Sequence, residues 1–133
     1  MKITKFEDIQ AWQAARQLTN LAYEATEASA FNDGRKLRWQ IRDAAGSCMA
    51  NIAEGFDAGA DKEFARFLRI AQRSATELQS HLYVALDRHF LESPDFDRLY
   101  AKAADVRRMI GGFIRYLKNP RVPDRVVADV TKD

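Results

Sequence analysis

The sequence predicts an all-α protein built as an antiparallel up-down-up-down four-helix bundle. Apolar residues recur at three- and four-residue steps through four separate segments, and no convincing period-two strand precedes the C-terminal tail. Two of the segments sustain that spacing as heptad seams. Glycine and proline, which interrupt helices, number only 6 and 3 among 133 residues. Hydrophobic residues make up 47% and charged ones 30%, a balance that suits one domain with an ordinary core and excludes disorder or a membrane span.

The first helix is expected over residues 7–28, where Ile9, Trp12, Ala15, Leu18, Ala22 and Ala25 share one face. Phe31-Asn32-Asp33-Gly34 reads as a turn, because Asn, Asp and Gly tolerate left-handed backbone. A second helix is expected over 35–56, broken by Gly55, Asp57 and Gly59. The third, over 60–91, carries Phe64, Leu68, Ala71, Ala75, Leu78, Leu82, Ala85 and His89 as a heptad seam, with Asp61 placed to cap its start. Ser93 as N-cap and Pro94 in the first position then open a fourth helix that runs to 118. Leu99, Ala103, Val106, Ile110, Phe113 and Leu117 form its seam, and Asn119-Pro120 stops it. The expected bundle spans 1–119, and 120–133 read as a mobile tail or an arm on a neighbour.

The second helix has three faces on a wheel of about 100° per residue. Leu37, Ile41, Ala45, Cys48, Ile52 and Phe56 form the core stripe. Gln40, Asp43, Ser47, Asn51 and Glu54 form a polar column, either paired with neighbouring helix ends and arginines or simply wet. Trp39, Gly46, Ala50 and Ala53 form a third face of one large ring and small residues. A face that small admits another backbone, and a second copy of the chain is the expected occupant. Gly111-Gly112 gives the same hint in the fourth helix, against a local kink as the alternative.

Several chemistries find no support. The Glu-x-x-His pairs of a di-metal bundle do not occur, and only two histidines exist, so no metal site or cofactor is expected. Phosphate-binding glycine loops are missing. Ser47 has no base near it in sequence. Cys48, the only cysteine, reads as a buried inert thiol. A carboxylate pair of Glu54 and Glu77 is the one catalytic arrangement left to test. The opening MKITKFEDIQ has acids where an export signal needs apolar residues, so a cytoplasmic protein without membrane association is expected.

Net charge is only +2, but the cations are grouped. Lys62, Arg66, Arg69 and Arg73 fall within about 60° on the third helix, away from its seam. Arg35, Lys36, Arg38 and Arg42 gather at the start of the second, and Arg107, Arg108, Arg115 and Lys118 lie on the fourth. Such groups neutralise phosphates, although a solvated helix face looks the same in sequence.

Phe6-Glu7-Asp8-Ile9, Trp12, Gln40-Ile41-Arg42, Asn51-Ile52-Ala53-Glu54-Gly55-Phe56, Arg66-Phe67-Leu68 and Glu77-Leu78 together resemble a known family. It comprises four-helix-bundle proteins first noticed as reading frames in intervening sequences of bacterial large-subunit ribosomal RNA genes. The accessory variability protein of diversity-generating retroelements is similar. The resemblance implies a bundle assembling as a homopentameric ring, no established enzymatic activity, and a structural signature of Ser47, Asn51, Glu54, Gly55 and Glu77. It further implies partners among RNA, DNA or a reverse transcriptase, which would meet Lys62, Arg66, Arg69 and Arg73. Asp43 and Ala58 stand where the family often carries basic residues. The alternative is a protein-interaction module without nucleic-acid binding.

Overall fold

The computed structural model describes residues 3–119, and the expected tail over 120–133 lies outside them. Four α-helices make up the fold: α1 (Gln10–Ala25), α2 (Arg35–Asp57), α3 (Asp61–Asp87) and α4 (Ser93–Lys118). No strand occurs among the described residues. Each helix packs on two others: α1 on α2 and α4, and α3 on α2 and α4. Contacts across the seams pair rising numbers with falling ones. Gly55 lies against Phe67 while Ser47 meets Ser74, and Gln72 reaches Arg107 while Gln79 reaches Tyr100. On the α1–α2 side Arg38 reaches Thr26 while Arg42 reaches Tyr23, so successive helices run antiparallel.

The seams expected from spacing form the core. Leu18, Ala22, Ile41, Ile52, Phe64, Leu68, Leu78, Leu82, Ile110 and Phe113 are fully buried. Phe64 and Phe113 meet at 5.1 Å between ring centres in one layer of that core, an arrangement favourable beyond the area it buries. No buried side-chain nitrogen or oxygen lacks a hydrogen-bond partner among the described residues.

Helix ends differ from expectation, each for a local reason. The first helix starts at Gln10 because Asp8 holds a 3₁₀ turn over Phe6–Asp8, accepting bonds from the Thr4 N–H, the Thr4 hydroxyl and the Lys5 N–H. The Thr4 bonds hold the Asp8 carboxyl below its ordinary value. The same helix ends at Ala25, where the buried Thr26 hydroxyl donates to the Ala22 carbonyl at 2.7 Å. Phe31 is not merely a turn residue. It is fully buried in a second 3₁₀ turn, Ser29–Asp33, with its ring 5.6 Å from that of Phe90. Gly34 has φ −131°, so no left-handed backbone is involved. It is small because a Cβ there would lie 2.3 Å from the Phe90 ring.

The third helix stops at Asp87, and His89 is not a seam residue: it is exposed with φ 62°. The Phe90 N–H bonds the Ala85 carbonyl at 2.9 Å and the His89 N–H bonds Leu86 at 3.1 Å. This is a Schellman closure with histidine in the position that glycine usually takes. Asp61 does not cap α3. Ala60 is the N-cap, with no side-chain cap bond, and Asp61 is the first helical residue. On α4 the N-cap is Glu92, so Ser93 and Pro94 sit one place further in than expected.

Gly55 does not break α2. It is buried inside the helix, which continues to Asp57, and the break falls at Gly59 with φ 87°. A Cβ on Gly55 would lie 2.7 Å from the Phe67 Cβ and 2.8 Å from the Phe64 ring. Its role is to let α3 come close. Gly111 acts similarly on a smaller scale, because a Cβ there would stand 3.1 Å from the Gln72 amide that donates to the Arg107 carbonyl. Gly55→Ala is expected to lower the unfolding free energy by about 1–3 kcal/mol, since Phe64 and Phe67 must both shift. Urea denaturation checks this through a lower midpoint at unchanged slope.

Candidate nucleic-acid interface

The signature residues divide by location. Ser47 and Asn51 are half-buried on the α2–α3 seam, and Ser74 is buried opposite them. The Asn51 amide donates to the Ser47 carbonyl at 2.8 Å and to the Ser47 hydroxyl oxygen at 3.0 Å. The Ser47 and Ser74 hydroxyls are 2.9 Å apart, and the Ser74 hydroxyl donates to the Ile70 carbonyl at 3.1 Å. Only one proton arrangement satisfies all of these together: amide to Ser47, Ser47 to Ser74, Ser74 to the carbonyl. The Ser47 hydroxyl thus spends its proton on a structural relay that ties α2 to α3.

Glu54 is exposed on α2 and takes no part in that relay, the wet alternative for this member of the polar column. Glu77 is exposed on α3, with Oε2 3.3 Å from Nε2 of His81 one turn on. The seam register places Glu54 level with Phe67, ten residues and so about 15 Å along the axis from Glu77. The two carboxylates are not brought together.

Cys48 is fully buried between α2 and α3, its Sγ 3.5 Å from the carbonyls of both Ala44 and Ala71. Burial pushes its thiol up to about 12 from an ordinary 9.0, so it holds little of the thiolate needed for nucleophilic work.

The basic groups meet different fates. At the start of α2, Arg35 and Lys36 stay exposed while Arg38 and Arg42 are drawn into the fold. Arg42 is buried, donating from Nε to the Thr26 hydroxyl at 2.8 Å and from Nη2 to the Tyr23 carbonyl at 3.4 Å. Its guanidinium lies 4.5 Å from the Tyr23 ring centre and 5.2 Å from that of Trp39. Arg38 donates to the Thr26 carbonyl at 2.8 Å. Both arginines thereby satisfy the carbonyl end of α1, where a helix favours positive charge. On α4, Arg107 donates to Gln79 Oε1 at 3.0 Å and Arg108 pairs with Asp105 at 3.3 Å.

The α3 stripe is different. Lys62 and Arg73 are exposed, Arg69 is half-buried, and no ion pair among the described residues engages these three. Arg66 is partly committed, pairing with Glu63 and lying 4.6 Å over the Phe67 ring. The antiparallel α4 adds a residue that α3 alone does not reveal. Lys118 joins Lys62 and Arg69 around a groove that Asp61, Ala65 and Leu117 also line. Two lysines and an arginine over a partly apolar floor suit a phosphate-bearing ligand better than a neutral one.

The fold and surface define an all-α four-helix protein with a compact signature seam and a cationic outer face. The family described as 23S rRNA-intervening sequence protein matches residues 7–112, and the chain belongs to that family. No curated protein matches the chain significantly. No helix among the described residues is long and apolar enough to cross a membrane.

The raised Cys48 value has a definite sign. The folded state keeps the thiol protonated to about 12, while the unfolded chain loses the proton from 9.0 upward. Stability from this group is complete below pH 9.0 and is lost progressively as the pH climbs to about 12. Thermal midpoints should therefore fall more steeply over that interval in the native chain than in Cys48→Ala, as followed by circular dichroism.

Proposed function

We propose that the chain is a non-enzymatic, homo-oligomeric scaffold of the cytoplasm that binds RNA or DNA through the outer face of α3. The observation that carries this reading is the grouping of Lys62, Arg69 and Arg73 on one face of α3 without an ion pair, with Lys118 brought beside them, whereas Arg38 and Arg42 serve the end of α1. Arg66 adds charge despite its pair with Glu63, because an exposed pair is worth little and exchanges readily with a phosphate.

Assembly rests on a different face. Trp39 is 54% exposed, Ala50 is exposed, and a Cβ on Gly46 would meet nothing within 4 Å. That flank of α2 is unfilled by the chain itself, and a sister copy laid along it would cover the Trp39 ring. A five-membered ring is the form that the resemblance suggests, and it would repeat the α3 stripe around its circumference. Repetition raises avidity without any new contact. A reverse transcriptase is the protein partner to test first, on the resemblance to the retroelement accessory protein.

Two measurements test the reading. Light scattering at micromolar concentration should give a multiple of the 15.2 kDa chain mass, five being the expected number. Gly46→Arg should return the mass to one chain with helix content unchanged, and a native protein that is already monomeric would end the oligomer reading. Salt-titrated binding to single-stranded RNA should show a log–log slope that drops by about 2 in Lys62/Arg69/Arg73→Ala. An unchanged affinity in that variant would remove these residues from the function. No binding by the native chain at moderate salt, with a specific protein retained instead, would favour a protein-interaction module.

A further inference from the structure

Beyond the α3 stripe, the α3–α4 seam ends in an aromatic cluster. Tyr83 on α3 lies 5.0 Å from Phe96 and 5.6 Å from Tyr100 of α4, measured between ring centres. Phe96 and Tyr100 stack on each other at 5.5 Å with 27° between their planes. The cluster is not core: Tyr83 is 50% exposed, its neighbour Val84 is 47% exposed, and Phe96 and Tyr100 are half-buried. A tyrosine ring left half in water at the edge of two others forgoes part of the free energy that full burial would yield.

The same seam connects this cluster to the cations. The Gln72 amide donates to the Arg107 carbonyl at 3.2 Å, Arg107 donates to Gln79 Oε1 at 3.0 Å, and the Gln79 amide donates to the Tyr100 carbonyl at 3.4 Å. These bonds lock α4 along α3 in one register. They place Lys118, Lys62 and Arg69 at one end of the seam and Tyr83, Phe96 and Tyr100 at the other. Lys62 to Tyr83 spans 21 residues of α3, about 30 Å. Cations at one end and an accessible ring at the other are the two components of a single-strand binding surface, in which phosphates take the charge and an unpaired base takes the ring.

We propose that the α3–α4 seam is a track for single-stranded nucleic acid, with its phosphates on Lys62, Arg69 and Lys118 and one unpaired base stacked on Tyr83. The proposal rests on the nucleic-acid reading above and adds strand state to it. Cationic contacts alone bind duplex and single strand alike, whereas a stacking contact needs a base free of its partner. Charge complementarity selects nucleic acid over an apolar peptide, because the seam that ends in the rings begins in the cations.

The test uses the full chain and one fluorescein-labelled RNA sequence, presented as a single strand and as a duplex, with binding read by anisotropy. Tyr83→Ala is expected to weaken single-strand binding by roughly five- to a hundredfold while leaving duplex binding unchanged. Tyr83→Phe keeps the ring and should keep the single-strand affinity. Bromouracil-substituted RNA irradiated with the native protein should crosslink to the peptide containing Tyr83 or to that containing Phe96 and Tyr100, a readout independent of any variant's folding. Native single-strand binding that survives Tyr83→Ala, or falls equally for both forms, would overturn the track and leave the basic face standing. Crosslinks confined to other peptides would have the same meaning. A native protein that binds neither form at low salt would overturn both readings.

Discussion

The separation between α2 and α3 governs what every other part of the molecule can do. Gly55 removes the atom that would collide with Phe64 and Phe67, and those rings then seat against the end of α2. Two turns earlier, Ser47 meets Ser74 at 2.9 Å, a contact possible only if the helices stay close and do not rotate. One contact is steric and the other directional, so together they fix distance and rotation. Helical residues are set about 100° apart, so turning α3 by one residue would carry part of its cationic stripe into the interior. The outward position of Lys62, Arg69 and Arg73 is therefore a consequence of a glycine and two hydroxyls on the opposite side of the helix.

Two contrasting uses of arginine are seen in the pair Arg38 and Arg42 and the pair Arg69 and Arg73. Arg38 and Arg42 stand within reach of the last carbonyls of α1, and their donors go to Thr26 and Tyr23. Arg42 is further enclosed by two aromatic rings, which favour a planar cation over an ammonium group. Arg69 and Arg73 lie in the middle of α3, where the backbone carbonyls are already bonded within the helix. No ion pair among the described residues engages either of them. A count of basic residues along the sequence merges these uses, while the fold distinguishes them.

The repeat of apolar residues is enough to read all four helices and most core positions, because burial along a helix follows a fixed period, while Phe31, Leu91 and Ile114 are buried outside the stripes it marks. Ends were harder. The stop after Asp87 depends on His89 taking left-handed backbone, and a histidine gives no sequence sign of that. Gly55 looked like a breaker because a helix-interior glycine usually weakens a helix, and only the facing Phe64 and Phe67 show why it belongs there. Ser47 and Asn51 are legible only as two members of a five-residue polar column, and their partner Ser74 lies 27 residues from Ser47 and could not be chosen from spacing. Of the basic surface, the α3 residues were readable from one helix alone. Lys118 and the Tyr83 cluster arise from α3 and α4 lying side by side, and a wheel drawn for each helix separately contains no information about that alignment.

The single thiol, that of Cys48, sits between the rods of the bundle, inaccessible and held protonated. An alkylating reagent can reach it only in molecules whose rods have parted. Since no second cysteine competes for the label, the pace of modification counts those excursions one by one. The chain thus carries its own clock for opening, readable by mass in a crude extract and sensitive to whatever ligand or sister copy holds the rods together.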